Sequence, residues 1–457
     1  MTSIIPVQKL QEILTQPAEE CLCGRRHPVS LRAAAVGADA CERMIDYVDR
    51  RRQRNFILVA DENTYEAYGR EVAAAMGGRL ARKLVYPVPL VPDERAVETL
   101  MQQAAGCAHL IAVGSGTIHD LTRYVAHRMQ VPFIGMPTAP SVDGFASSVS
   151  PLIINGAKKT IPTVMPEAIF ADTKVLAAAP AEMIAAGYGD IIGKYTALAD
   201  WRLAHVLLGE WYCPAIVELV RETVSTIVAR RAALANREPE ACAELLAALL
   251  LTGLAIEMAG DSRPASGSEH HLAHYWEMRS LWSREKVRLH GAEVGVATPL
   301  SAGLHHRLLA MPEVEVTALI ERRRQTLGSG AQHGGERNAG RIRKYLGPLA
   351  AQFLEENRPL RPDAAAVDRR LSRLAASFAG LRKEAAATLP EPTGLRQLLR
   401  EGGAPDTPAA LGLPPEWVSA GLQVAMEIRL GRYTILQLLD ELDVLEELTA
   451  LVAGAAG

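Results

Sequence analysis

Between residues 55 and 175, short apolar runs alternate with stretches whose apolar positions recur at helical spacing. NFILVAD (55–61) reads as a buried strand, and TYEAYGREVAAAMGG after it as a helix that stops on glycines. The alternation then repeats. LARKLVYPV predicts a strand, DERAVETLMQQAAG a helix with Asp93 at its N-cap, AHLIAVG a strand, TIHDLTRYVAHRM a helix and VPFIGMPTAP a fourth strand. Consecutive βα units imply a parallel sheet with helices on both faces, a Rossmann-like α/β domain.

After Asp172 the pattern changes to long Ala/Leu/Glu/Arg segments such as PAIVELVRETVSTIVARRAALA and PEACAELLAALLLTGLAIEMAG, which predict an all-α second domain. The expected division is therefore residues 1–175 and 176–457. LGSGAQHGGERNAG (327–340) reads as a polar loop between helices, and GRYTILQLLDELDVLEELTALVAG as a helical close to the chain.

Composition narrows the function. A chain of 457 residues with 49% hydrophobic residues, 22% charged residues and net charge -3 is an ordinary globular one, with no nucleic-acid footprint. The start, MTSIIPVQKLQEILTQPAEE, has no basic stretch followed by an apolar block, so the expectation is a cytoplasmic protein that does not enter a membrane. Six cysteines are spread from 21 to 242 and do not form a secreted disulfide framework. CLCGRRH (Cys21, Cys23, His27) offers three metal donors without a second ligand pair, and reads otherwise as reduced thiols near the N-terminus.

The candidate chemistry sits at two kinds of place. Gly114, Ser115, Gly116 and Thr117 lie between a strand and a helix, where glycines let the backbone approach a phosphate and helix amides attract its charge; a plain βα turn is the alternative. Asp61 ends the first strand where a ribose-binding acid would sit, or caps the next helix. Asp143, in MPTAPSVDGFASS, binds a substrate hydroxyl or makes an Asx turn. In SGSEHHLAH, His270 and His274 share a helix face while His271 points about 100° away, so the three cannot serve one ion from a helix. His290 follows in RLHGAEVG, and Asp190 precedes in AAGYGDIIGKYTALADW; one Asp and two His would leave open positions on a metal, against the alternative of a solvated His-rich face.

In chain order, VGSGTIHDLTRY, PTAPSVDGFAS, AAGYGDIIGKYTALADWRL, SRPASGSEHHLAH and HGAEVGVAT resemble the glycerol-1-phosphate dehydrogenases, particularly their bacterial branch, within the iron-containing alcohol dehydrogenase and dehydroquinate synthase-like group. The resemblance implies a dehydroquinate synthase-like fold, NAD or NADP, and one divalent metal (Zn, Ni or Fe) in a cleft between two domains. It also implies a homodimer acting on a phosphorylated polyol. Position by position, it assigns Asp190, His270 and His290 to the metal, and His274 and Asp143, with Asp190, to substrate and catalysis. Gly114, Ser115, Gly116, Thr117, Asp120, Thr138, Ser141, Ser147 and Asp61 are assigned to the cofactor, with Asp61 favouring NAD over NADP. His271 receives no role and is expected to be replaceable. The implied reaction interconverts sn-glycerol 1-phosphate and dihydroxyacetone phosphate, with Arg263, Lys159 and Lys194 as candidate phosphate ligands. The alternatives are an NAD- and metal-dependent lyase of the dehydroquinate synthase type, another polyol dehydrogenase, or a non-catalytic nucleotide-binding protein. Two departures stand out: the stretch from His270 to His290 is longer than in archaeal relatives, and the third glycine of the Rossmann fingerprint is absent.

Overall fold

The computed structural model describes residues 5–15, 20–154, 157–328 and 333–455. Its main sheet has six parallel strands in the order β1-β8-β5-β4-β2-β3. The expected strands are β2 (Phe56–Asp61), β3 (Leu80–Tyr86), β4 (His109–Gly114) and β5 (Phe133–Pro137). Two more, β1 (Ala33–Val36) and β8 (Ala168–Ala171), have four residues each and are too short and alanine-rich to show a period. β6 (Val149–Ile154) and β7 (Ala157–Pro162) form an antiparallel hairpin that the βα alternation does not anticipate.

Successive strand residues face opposite sides of a sheet, and both sides here are buried. Phe56, Leu58, Ala60, Ile111 and Val113 pack into one core, and Ile57, Val59, Leu110 and Ala112 into the other. Continuous apolar runs at β2 and β4 are what this double burial requires.

From Thr173 onward every named element is helical. Packing nonetheless groups the chain differently from a cut at 175: one compact unit is 1–191 with 218–262, and the other is 192–217 with 263–457. The helix Pro239–Ala259 is long and apolar enough to cross a membrane, yet its side chains are mostly buried within the first unit.

One expectation needs correcting. Of the Gly-rich stretch 327–340, residues 329–332 lie outside the described part, and His333–Tyr345 is a helix and not a loop. Tertiary pairing overrides the glycines there: Arg337 bonds Asp443, and Asn338 and Arg341 bond Asp440. The segment 431–454 is helical as its spacing predicts, in two pieces, Ile435–Glu441 and Leu445–Gly454, with Asp443 at a left-handed φ of 65° between them.

Candidate functional site

In the second unit, the helix Ser268–Ser283 carries His270 and His274 one turn apart, and the helix His290–Ala310 opens with His290. Between them, Arg284 ends the first helix in the left-handed region (φ 56°). Arg288 then pins the connector by donating to the Leu411 and Gly412 carbonyls at 2.9 and 2.6 Å. The long connector noted in the sequence is thus tied down.

The three imidazoles converge. Ring centroids are 5.2 Å apart for His270 and His290, 5.3 Å for His274 and His290, and 6.2 Å for His270 and His274. Each Nδ1 meets a carboxylate: His270 lies 2.7 Å from Glu269, His274 donates to Glu277 at 3.0 Å and His290 to the other oxygen of Glu277 at 2.9 Å. An ionised Glu277 only accepts, so Nδ1 of His274 and Nδ1 of His290 carry the protons. This is how metal-ligating histidines are held, with an outer carboxylate fixing tautomer and orientation. The donor set therefore fits a divalent metal. Donor atoms of His274, Glu277 and His290 lie within 4.8 Å of one another, but the Glu277 oxygens are engaged at Nδ1, so its part is to orient two rings.

Glu269 and Glu277 are not among the residues singled out from the sequence, although Glu277 stands three residues after His274 on one helix face, a spacing that could have signalled it. Both are buried. Burial, reinforced by the Asp200 carboxylate, pushes Glu269 up to about 8, against hydrogen bonds from Thr196 Oγ1 and the Gly267 amide, both at 2.6 Å, that favour its ionised form. Burial, with the positive charges of Lys194 and Arg429 and the other imidazoles, drives His270 well below its usual range and keeps it neutral.

Asp200, also unanticipated, fixes where the helix starts. It accepts from the Ser268 amide at 2.7 Å, from the Ile435 amide at 2.7 Å and from His305 Nε2 at 3.0 Å. Gly267 permits this approach, since a Cβ there would stand 2.7 Å from Asp200 and 2.9 Å from Ala197. His271 points into the core, 0% exposed, with neither ring nitrogen hydrogen-bonded. A solvated histidine face is therefore not what this helix presents.

In the first unit, β4 ends at Gly114 and the helix Gly116–Met129 begins directly after Ser115. A Cβ on Gly114 would stand 2.7 Å from Ile118, so glycine lets the helix close onto the strand. The Ser115 side chain does not cap the helix, and the loop and helix start of Gly114–Thr117 fit a phosphate cradle. Asp61 caps the next helix, accepting from the Thr64 amide at 2.8 Å within a capping box.

The loop after β5 is held from three sides. Thr138 donates its amide to the Gly114 carbonyl at 3.1 Å, and Ser147 Oγ accepts from the Val149 amide at 3.1 Å. The buried Arg123 guanidinium bonds Asp120 at 2.8 Å and the carbonyls of Gly144, Phe145 and Val149 at 2.5, 3.0 and 3.1 Å. Asp120 thus has a structural partner that the sequence did not suggest. The Asp143 amide donates to Asp190 Oδ2 at 2.9 Å, which brings these two candidate residues together. Thr138, Ser141 and Ser147 are all buried. Two glycines make the packing possible: a Cβ on Gly187 would lie 1.8 Å from the Pro140 carbonyl oxygen, and one on Gly253 2.5 Å from that of Ala146.

The three cation candidates separate. Arg263 is engaged by Glu210 and the Tyr433 carbonyl, each at 2.6 Å. Lys194 is buried and donates to the Ala265 carbonyl at 3.2 Å. Lys159 stands exposed on β7.

Residues 35–180 match the family described as iron-containing alcohol dehydrogenase. The chain is similar to a glycerol-1-phosphate dehydrogenase (NAD(P)+) of Geobacillus stearothermophilus, 37% identical over 96% of this chain and 100% of that protein. A second, from Geobacillus thermodenitrificans, is 34% identical over 94% and 97%. Among solved structures, a probable glycerol dehydrogenase from Sinorhizobium meliloti shares the fold, with TM-score 0.59 at 15% identity over 93% of this chain and 98% of that one. Full-length similarity at this level makes the chain a member of the glycerol-1-phosphate dehydrogenase family, within the iron-containing alcohol dehydrogenase group.

Proposed function

We propose that this protein is a cytoplasmic, homodimeric NAD(P)-dependent dehydrogenase interconverting sn-glycerol 1-phosphate and dihydroxyacetone phosphate. The observation that carries the reading is the convergence of three imidazoles, each with its Nδ1 in hydrogen-bond contact with a buried carboxylate. His270 and His290 are the metal ligands of this reading, joined by Asp190 from the family pattern, and Gly114–Thr117 receive the cofactor pyrophosphate. When bound, the divalent cation would acidify the C2 hydroxyl and the nicotinamide would accept hydride.

The remaining work falls to side chains. His274, its Nδ1 proton held by Glu277, presents Nε2 as the base that takes or returns the hydroxyl proton. Asp143 positions a neighbouring hydroxyl. Lys194, Lys159 and Arg263 are the candidate cations for the substrate phosphate, with Lys194 engaged by the Ala265 carbonyl and Arg263 by Glu210. Asp61 tilts the cofactor choice to NAD, since its charge would repel a 2′-phosphate.

The test is NADH formation with each glycerol phosphate enantiomer, with and without chelator. Turnover of the sn-1 enantiomer that chelator abolishes is expected; undiminished turnover after complete metal removal would sink the reading. Redox-neutral turnover, with nicotinamide returned to its starting state, would point to a lyase instead.

A further inference from the structure

We propose that Cys21, Cys23 and His27 form a second metal site, a structural zinc site in the first unit. The segment CLCGRRH folds on itself: the Gly24 amide donates to the Cys21 carbonyl at 2.8 Å, and the Cys21 amide to the Arg25 carbonyl at 3.1 Å. Gly24 makes the reversal in the left-handed region at φ 81°. The intervening Leu22 side chain stands fully in solvent while Cys21, Cys23 and His27 are half-buried. The two sulfurs and an imidazole nitrogen lie within 4.8 Å of one another, with Cys23 Sγ 3.2 Å from His27 Nε2.

The tautomer of His27 is fixed for ligation. Its Nδ1 is 2.9 Å from the Met258 carbonyl, which can only accept, so Nδ1 bears the proton and Nε2 aims its lone pair at the thiol. A ring nitrogen held by a backbone carbonyl is the outer support that zinc-binding histidines use. Two thiols and one imidazole are a soft donor set that selects zinc, with a fourth ligand completing the tetrahedron. Binding releases the two thiol protons and changes no oxidation state.

Met258 belongs to the helix Pro239–Ala259, and Glu257 beside it accepts from the Ser30 amide at 3.1 Å. The ion would therefore fasten the N-terminal segment onto this buried helix. Arg25 and Arg26, both exposed within the turn, provide a protease probe of that fastening.

The experiment uses the full chain. Cobalt(II) titrated into the metal-free wild type should produce a thiolate-to-cobalt charge-transfer band, which the sulfur-free set of Asp190, His270 and His290 cannot give. Cys21→Ser/Cys23→Ser should lose that band. In a His270→Ala background, zinc content should be one per chain, falling to none when the two serines are added, and tryptic cleavage at Arg25 and Arg26 should speed up at least tenfold on zinc removal. Absence of the band in wild-type protein would overturn the proposal whether or not the double variant folds, as would unchanged zinc content in a folded double variant.

Discussion

Glu277 accepts a hydrogen bond from His290 at 2.9 Å while its other carboxylate oxygen accepts from His274 at 3.0 Å, so one buried side chain sets the tautomer of two rings on different helices. Glu277→Gln keeps the volume but replaces one acceptor by an NH₂ donor, which forces one imidazole to move its proton to Nε2. Metal affinity, measured by chelator competition, should fall by about 10–100-fold, and kcat/KM with it. Unchanged affinity would show that Glu277 does not act through the rings.

His271 sits beside this site without joining it. His271→Leu fills similar space and removes two polar atoms that have no hydrogen bond, so thermal stability should hold or rise. His271→Ala should cost about 2–5 kcal/mol through the cavity it leaves. The residue is replaceable in chemistry but not in size. Burial holds its folded pKa well below the unfolded value, so above about pH 6.5 it is neutral in both states and contributes nothing. Below that pH the unfolded chain gains protons that the folded chain cannot, and stability falls. His119, held down to about 3 by burial, adds about 2 kcal/mol of the same loss at pH 5. Thermal scans from pH 7 to 5 should show a steep decline in wild type and a shallower one in His271→Leu.

How far the sequence reaches depends on whether an interaction is local. β2, β4 and β5 are legible because strands buried on both faces need unbroken apolar runs, and Gly114 because it falls at a strand–helix junction. On a helix the spacing puts His270 and His274 on one face, and Ser268–Ser283 is that helix. What stays hidden is carried by partners distant in the chain: Asp200 meeting the Ser268 and Ile435 amides, Arg123 holding the Gly144 and Phe145 carbonyls, and Gly187 facing the Pro140 carbonyl. The helix at His333–Tyr345 escapes local pattern because its pairing to Asp440 and Asp443 lies about a hundred residues away.

Arg123 makes four bonds through two nitrogens of one planar fork, and lysine has no such geometry. Arg123→Lys should free the loop from Gly144 to Val149 while keeping the charge. KM for the cofactor should rise at least tenfold, with a smaller fall in kcat. Equal losses in both would place Arg123 in catalysis and not in loop positioning.

Two glycine-to-alanine substitutions should act in opposite directions. Gly187→Ala would drive a Cβ to within 1.8 Å of the Pro140 oxygen, so the helix must withdraw from the loop, and the variant should be insoluble or melt far below wild type. Gly380 lies inside the helix Ala364–Thr388, where an alanine methyl would meet nothing within 4 Å, and Gly380→Ala should add about 0.5–1 kcal/mol. Paired thermal unfolding curves check both.

His270 and His274 lie one turn apart on one helix, yet the proposed reading gives them different work, and single substitutions can tell these apart. His270→Ala should lose both bound metal and turnover. His274→Ala should retain metal, because the proposed ligands stay in place and Glu277 can still hold His290, while kcat falls by about 10²–10⁴-fold with the loss of the base. In that variant the rate should recover in part with added imidazole. Loss of metal from His274→Ala equal to that from His270→Ala would move His274 into the ligand set, and the base would have to be sought elsewhere.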